Sequence, residues 1–297
     1  MTQLTRTAIQ PLIQLALRED RAAHDHTSRC TLPTSLRIRA RVIAKAPGVL
    51  AGGPVAVWTF QILDPSLHCS LKRRDGAPVR RGQTILTVEG SARSIFAAER
   101  TALNFLGHLS GISTLTHEFV HRVRPLRTKI FDTRKTLPGL RILEKYAVRV
   151  GGGHNHRMSL AEAILIKTNH LKALGQGAGG RGQGESLMHR AVTQAKVKYL
   201  KHFVEVEVTN FSEFKAALRA RPHAVLLDNW SLKGIRRAVQ LRSSTPHAPR
   251  PTPLLEVSGG VTLANVRAIV RTGVDRVSIG RLTHSAPSLD VSLEVIP

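Results

Sequence analysis

The sequence predicts an α/β protein, an incomplete parallel α/β barrel preceded by a smaller α+β N-terminal domain. Three observations predict it. Six short apolar segments recur through the second half of the 297-residue chain, most of them separated by helical stretches. Each of the six carries glycine or charged side chains at or near its C-terminal end. Residues 36–88 instead alternate with the period of two expected of half-buried strands. Strands alternating with helices build a parallel sheet. Six strands fall short of the eight of a complete barrel, and an open doubly wound sheet is the second architecture the pattern allows.

Residues 4–17 read as a helix that runs into the acidic step Glu19-Asp20. In the alternating stretch, Ile38, Ala40, Val42 and Ala44 face one way, with Arg37, Arg39, Arg41 and Ile43 on the other. Turn signals stand at Ala46-Pro47-Gly48, Gly52-Gly53-Pro54 and Asp75-Gly76. Residues 94–109 turn helical, with Ile95, Ala98, Ala102, Phe105 and Leu109 near one face. An α+β domain over 1–110 follows, completed by the C-terminal segment 283–297. The barrel domain takes 111–282. Its strands are expected at 128–131, 163–166, 203–208, 224–227, 254–257 and 276–279, and its helices at 140–148, 186–199, 212–219, 232–241 and 263–272.

The composition is that of an ordered globular protein, with 42% hydrophobic and 22% charged residues. No apolar run approaches the roughly 20 residues needed to cross a bilayer. Residues 1–14 lack an apolar core with a cleavage site, so no signal peptide is expected. Cys30 and Cys69 match no metal or redox spacing, which fits a reduced cytoplasm. Forty-four Lys and Arg against 20 acids give a formal charge of +24. Such an excess suits nucleic-acid binding or polyanionic substrates, and a general compositional bias would look the same. Aromatics are only 4%, too few for interleaved stacking platforms on a nucleic acid.

In a parallel barrel, the C-terminal strand ends share one face, where catalytic groups gather. Here they carry Asp132-Thr133-Arg134-Lys135 after the first strand and Lys167-Thr168-Asn169-His170 after the second. Between those two, the chain passes Gly151-Gly152-Gly153-His154-Asn155-His156-Arg157. The third strand bears Glu205 and Glu207, and the fourth ends in Asp228-Asn229. The fifth ends in Ser258, Gly259 and Gly260, and the sixth in Ser278, Ile279 and Gly280. Arg134, Lys135, Arg157 and Lys167 bring fixed positive charge, with His156 able to add more. Arginine forks suit carboxylate and phosphate, and lysine offers a mobile point charge. Glu207 and Asp228, one strand-helix-strand step apart, suit sugar hydroxyls or support of Mg²⁺ carried by a pyrophosphate. A glycine turn before a helix aims backbone N–H groups at an anion, so the last two strand ends are expected to take a monophosphate.

Two other patterns carry less. Gly175-Gln176-Gly177-Ala178-Gly179-Gly180 matches G-x-G-x-x-G but follows a helical stretch and lacks the strand and helix that a dinucleotide site needs. A loop is the reading taken. His154 and His156 have no third ligand at metal-binding spacing, so they are read as structural or anion-contacting.

With these residues in place, the chain resembles the quinolinate phosphoribosyltransferase family over nearly its whole length. Ala98-Glu99-Arg100-Thr101-Ala102-Leu103-Asn104, Ser110-Gly111-Ile112, Asp132-Thr133-Arg134-Lys135-Thr136 and Asn155-His156-Arg157 carry the resemblance. So do Glu205-Val206-Glu207-Val208, Leu227-Asp228-Asn229 and Ser258-Gly259-Gly260-Val261-Thr262. Each is weak alone; their order and spacing are specific. The resemblance implies that phosphoribosyl pyrophosphate and quinolinate give nicotinate mononucleotide, pyrophosphate and carbon dioxide on the de novo route to NAD. It implies that Arg134, His156, Arg157 and Lys167 bind the quinolinate carboxylates, with Thr133 beside them and Lys135 able to reach the pyrophosphate. Glu207 and Asp228 would hold the ribose hydroxyls and Mg²⁺-pyrophosphate. Lys135, Lys167, Glu207 and Asp228 are the catalytic candidates. Ser258, Gly259, Gly260, Ser278, Ile279 and Gly280 would take the 5′-phosphate. The resemblance also implies a homodimer, or a higher oligomer built from it, with Arg100 reaching the neighbouring site.

Departures exist. Thr168 stands where the family usually has an acid after the catalytic lysine, and His24-Asp25-His26-Thr27 replaces a glycine-aspartate-threonine pattern. The stretches 175–184 and 243–253 are long for the family. A paralogue of the same fold with another acceptor is the nearest rival; a nucleic-acid-binding protein is the rival of a different class.

Overall fold

Alternation and periodicity translate into two units of different construction. The structure, a computed structural model, describes residues 4–177, 184–244 and 252–297. One unit comprises Met1–His117, Lys135–Gly153 and Arg281–Pro297; the other comprises Glu118–Arg134 and His154–Gly280.

The first unit opens with helix α1 (Arg6–Glu19), whose Thr5 hydroxyl caps the Ala8 N–H, and the short α2 (His26–Thr31). Strand β1 (Arg37–Ala44) follows, with Ala40, Val42 and Ala44 fully buried as the alternation requires. After the short β2 (Gly48–Val49), the chain forms helix α3 (Gly53–Leu63). This helix corrects the expectation of strand throughout 36–88. Its buried positions Val55, Ala56, Thr59 and Phe60 repeat at helical spacing, and Pro54 sits in its first turn, where a missing N–H costs nothing. The Gly52-Gly53-Pro54 turn signal marks a helix start: both carboxylate oxygens of Asp75 accept from the Gly52 and Gly53 N–H groups, at 2.8 and 2.9 Å.

Strands β3 (His68–Leu71), β4 (Pro78–Val79) and β5 (Thr84–Ser91) lead into the long helix α4 (Ala92–Val123). Its face of Ile95, Ala98, Ala102, Leu106 and Leu109 is fully buried, and Gly111 lies so near the Pro287 carbonyl that a Cβ there would stand 2.0 Å from the oxygen. Helices α5 (Arg141–Val150) and α11 (Arg281–His284) and strand β12 (Val291–Ile296) complete this unit. Its antiparallel sheet has the order β12-β1-β5-β3, so the last strand of the chain pairs with the first long one.

The second unit holds six parallel strands: β6 (Lys129–Phe131), β7 (Ile164–Ile166), β8 (Val204–Val208), β9 (Ala224–Asp228), β10 (Leu254–Ser258) and β11 (Arg276–Ser278). Helices α6 (Thr168–Gly177), α7 (Gly184–Lys198), α8 (Phe211–Ala220), α9 (Leu232–Ser244) and the short α10 (Val266–Val270) connect them. The order is β6-β11-β10-β9-β8-β7, so the sheet stays open between its first and second strands. The connection that would close it contains α5, which belongs to the first unit. Helix α10 is shorter than the expected 263–272, because Thr262 and Asn265 hold the preceding residues in a side-chain-braced turn. The end of the G-x-G-x-x-G pattern, residues 178–180, lies outside the described residues, as does most of the long stretch 243–253. Among the described residues, no helix is long and apolar enough to cross a membrane.

Candidate active site

The C-terminal ends of the parallel strands gather the expected residues of the second unit. At the end of β6, Asp132 is fully buried and accepts from the His156 main-chain N–H at 2.8 Å and from the Asn155 amide. The Asp132 N–H donates to the His154 carbonyl, the His154 N–H to the Ile130 carbonyl, and Phe131 and His154 form a parallel bridge. A buried carboxylate thus ties residues 154–157 along the free edge of β6. This is what carries Arg157 to the strand end where Arg134 stands.

The two guanidinium groups are close enough that Arg134 and burial together lower the Arg157 pKa, burial first, with Glu205 opposing. Arg157 Nη1 also donates to the Ala163 carbonyl at 2.9 Å. Two like charges held together in a half-buried place cost folding energy that an anion would recover.

On β8, Glu207 accepts from the Thr168 hydroxyl at 3.1 Å, and its other oxygen lies 3.5 Å from Lys167 Nζ. Lys167 is half exposed and Glu207 only 12% exposed, so the lysine faces open space while the carboxylate is held. Asp228 ends β9 opposite Ser258 in the β10 register. Asn229 follows in the left-handed region (φ 57°), and its N–H donates to the Ser258 carbonyl. Gly259 (φ 89°) packs so tightly on Asn229 that a Cβ would stand 2.1 Å from its side-chain oxygen. Ser258 pairs with Ser278 across β10 and β11. Ile279 is buried and its N–H serves the sheet, donating to the Phe131 carbonyl; Gly259 and Gly260 form the exposed part of this rim, and Gly280 is half-buried.

Lys135 and Arg100 belong to the first unit. The Lys135 carbonyl accepts from the Thr283 hydroxyl at 2.7 Å, and its side chain is exposed. Arg100 is exposed on α4, where it lines a cavity of about 350 Å³ with Glu19, Asp20, Thr101, Asn104 and His108.

The fold also assembles groups that no local spacing reveals. His156 Nε2 lies 2.9 Å from Glu205 and 3.6 Å from Glu256, bringing together three side chains from a loop, β8 and β10. Glu256 is fully buried, and burial, with Glu205 next, pushes its pKa up to about 8; burial likewise raises Glu205. Arg276 lies over both Phe131 and Phe203, at 4.9 and 4.8 Å from the ring centroids, with Nη1 3.9 Å from Glu256. The signal for these was a charged residue inside an otherwise apolar strand, Glu256 in 254–257 and Arg276 in 276–279. His154 stacks on Phe131 at 5.3 Å, a structural role.

Two family models match the chain: the quinolinate phosphoribosyl transferase N-terminal domain over residues 25–110 and its C-terminal domain over 112–294. The chain belongs to the quinolinate phosphoribosyltransferase family. A carboxylating nicotinate-nucleotide pyrophosphorylase from Mycobacterium leprae is 41% identical over 97% of both chains. A probable enzyme of the same name from Synechocystis is 36% identical over 97% of this chain and 92% of its own. The crystal structure of NadC from Streptococcus pyogenes, 36% identical, superposes over the whole of both chains with a TM-score of 0.88. As a member of the quinolinate phosphoribosyltransferase family the protein is a pentosyltransferase of pyridine nucleotide biosynthesis. A human nicotinic acid phosphoribosyltransferase, 12% identical with a TM-score of 0.60, shares the fold alone.

Proposed function

We propose that this protein transfers the phosphoribosyl group of phosphoribosyl pyrophosphate to quinolinate, releasing pyrophosphate and carbon dioxide and forming nicotinate mononucleotide. The observation that carries this reading is the tethering of residues 154–156 to the end of β6 through Asp132, which brings Arg157 to the strand end that Arg134 follows, in a chain whose family acts on a dicarboxylate. Each guanidinium can take a carboxylate in a forked pair. Lys167 completes the acceptor subsite, with His156 behind Arg157 and Thr133 beside Arg134. Glu207 and Asp228 hold the ribose hydroxyls, and the glycine turn at Gly259 and Gly260 takes the 5′-phosphate.

Oxygen donors on adjacent strand ends fit a hard cation, and Mg²⁺ arriving with the pyrophosphate would neutralise the leaving group; the family resemblance gives Lys135 to the same phosphates. The C1–O bond to pyrophosphate breaks as the pyridine nitrogen bonds to C1, so the nitrogen becomes cationic. The C2–carboxylate bond then breaks, CO₂ departs, its electron pair stays on C2 beside that cationic nitrogen, and C2 takes up a proton. No side-chain nucleophile is required; positioning and fixed charge do the catalysis.

The site is completed in a homodimer, or a larger assembly of such dimers, by Arg100 of the neighbouring copy, and the free thiols Cys30 and Cys69 suit the cytoplasm. Arg134→Ala tests the acceptor subsite: KM for quinolinate should rise by about a hundredfold or kcat/KM fall as far, given about 3 kcal/mol for a charge-assisted forked pair. Unchanged quinolinate kinetics in that variant would contradict the assignment.

A further inference from the structure

Glu205 and Glu256 have no part in the transfer chemistry, yet they are buried carboxylates near the acceptor subsite, 1% and 0% exposed. They come from β8 and β10, strands separated by β9. His156 lies against both, its Nε2 2.9 Å from a Glu205 oxygen and 3.6 Å from a Glu256 oxygen. Its other ring nitrogen, Nδ1, accepts from the Arg157 main-chain N–H at 2.9 Å. A nitrogen that accepts cannot also carry a proton. The proton of the ring therefore sits on Nε2 and points at Glu205.

The same geometry bears on a metal at this place. The ligand atoms of His156, Glu205 and Glu256 lie within 4.8 Å of one another, and three of the carboxylate oxygens have no hydrogen-bond partner. Ligation through Nε2 would move the proton to Nδ1, where it would meet the Arg157 N–H head on. Arg276 already faces Glu256, and the Arg157 charge acts on Glu205. A dication would add charge where two guanidinium groups already supply it.

We propose that Glu205 and Glu256 are positioning residues for the acceptor subsite, holding His156 as its Nε2–H tautomer so that Nδ1 fixes the Arg157 main chain and the place of its guanidinium. The inference rests on the reading of Arg157 as an acceptor-binding group. His156 then acts through Arg157, with both ring nitrogens engaged inside the chain.

The test pairs imidazole ¹⁵N NMR of the full-length protein, assigned with His156→Gln, with steady-state kinetics of Glu205→Leu and Glu205→Gln. The wild type should show the Nε2–H tautomer. Glu205→Gln, whose amide oxygen still accepts, should keep it, with quinolinate KM within about threefold of wild type. Glu205→Leu should lose it and raise quinolinate KM by about tenfold or more, with phosphoribosyl pyrophosphate KM changed less than about threefold. A wild-type Nδ1–H tautomer would overturn the proposal, and so would an equal rise of both KM values in Glu205→Leu. Stoichiometric zinc or manganese whose removal by chelator shifts the His156 resonances would also overturn it. Should Glu205→Leu fail to fold, the wild-type tautomer and Glu205→Gln still decide. Wild-type protein that ignores quinolinate but shows the Nε2–H tautomer would sink the acceptor reading and, with it, the role given to the pair.

Discussion

Thr168 is the residue at which this chain departs from its family and at which the structure offers a reason. Its hydroxyl donates to one oxygen of Glu207 while Lys167 approaches the other, so the carboxylate is oriented from both sides. Thr168→Val should lower kcat/KM for phosphoribosyl pyrophosphate by about fivefold, the equivalent of about 1 kcal/mol for one hydrogen bond, and Thr168→Ser should restore it; steady-state kinetics of the two variants check this. Glu256 carries a second prediction. Its folded pKa, raised by burial and Glu205 to about 8 against an ordinary 4.5, means that the folded state binds a proton the unfolded state has lost. Stability therefore falls as pH rises from about 5 to about 8. Glu256→Gln should flatten that fall, read as the urea midpoint at pH 5.5 and 8.5; an unchanged slope would count against a buried, proton-holding carboxyl. Arg134, Lys167, Glu207 and Asp228 were legible as charges at strand ends, and Arg157 as a charge in the segment between the first two strands. Glu256 and Arg276 were not singled out, since a single charged letter in a short apolar run does not say which distant side chain it meets, and Asp132, named at its strand end, was given no role of its own.

At the scale of elements, period and punctuation located most of the strands and helices. The six parallel strands stand within a residue or two of their expected bounds, because each is a β-branched or apolar run closed by a polar step. Helix α3 was misread because its apolar residues surround a short helix on several sides, where periodicity is weak, and because glycine and proline there begin an element as readily as they end one. The β10–α10 connection shows the opposite case. A longer helix was expected, but the Thr262–Asn265 bracing yields a turn and a helix of only five residues. Whatever anion binds there depends on the turn itself more than on a helix dipole. Gly259→Ala, at φ 89° and against Asn229, should therefore raise KM for phosphoribosyl pyrophosphate by at least about tenfold while costing about 1–2 kcal/mol of stability. Activity and denaturation curves of that variant check both; wild-type KM would remove this turn from the phosphate site.

For the whole molecule, order of motifs outweighed any single motif. The formal +24 charge could not separate a polyanion-using enzyme from a nucleic-acid binder, since net charge speaks to attraction and not to fold. Placement separated them: the cations that matter stand at successive strand ends, in the sequence order of one family, and the family models span both domains. The opening of the sheet between β6 and β7 was foreshadowed by the count of six strands. The passage of 135–153 into the other unit was not, because contact partners 36, 71 and 148 residues away leave no local trace. The most direct measurement is the stoichiometry of products when the purified protein is given Mg²⁺, phosphoribosyl pyrophosphate and quinolinate labelled with ¹³C in its C2 carboxylate. One labelled CO₂ for each nicotinate mononucleotide, with none released when phosphoribosyl pyrophosphate is withheld, is the predicted result. Folded protein that releases no CO₂, or that forms nicotinate mononucleotide from nicotinate while leaving quinolinate untouched, would contradict the account.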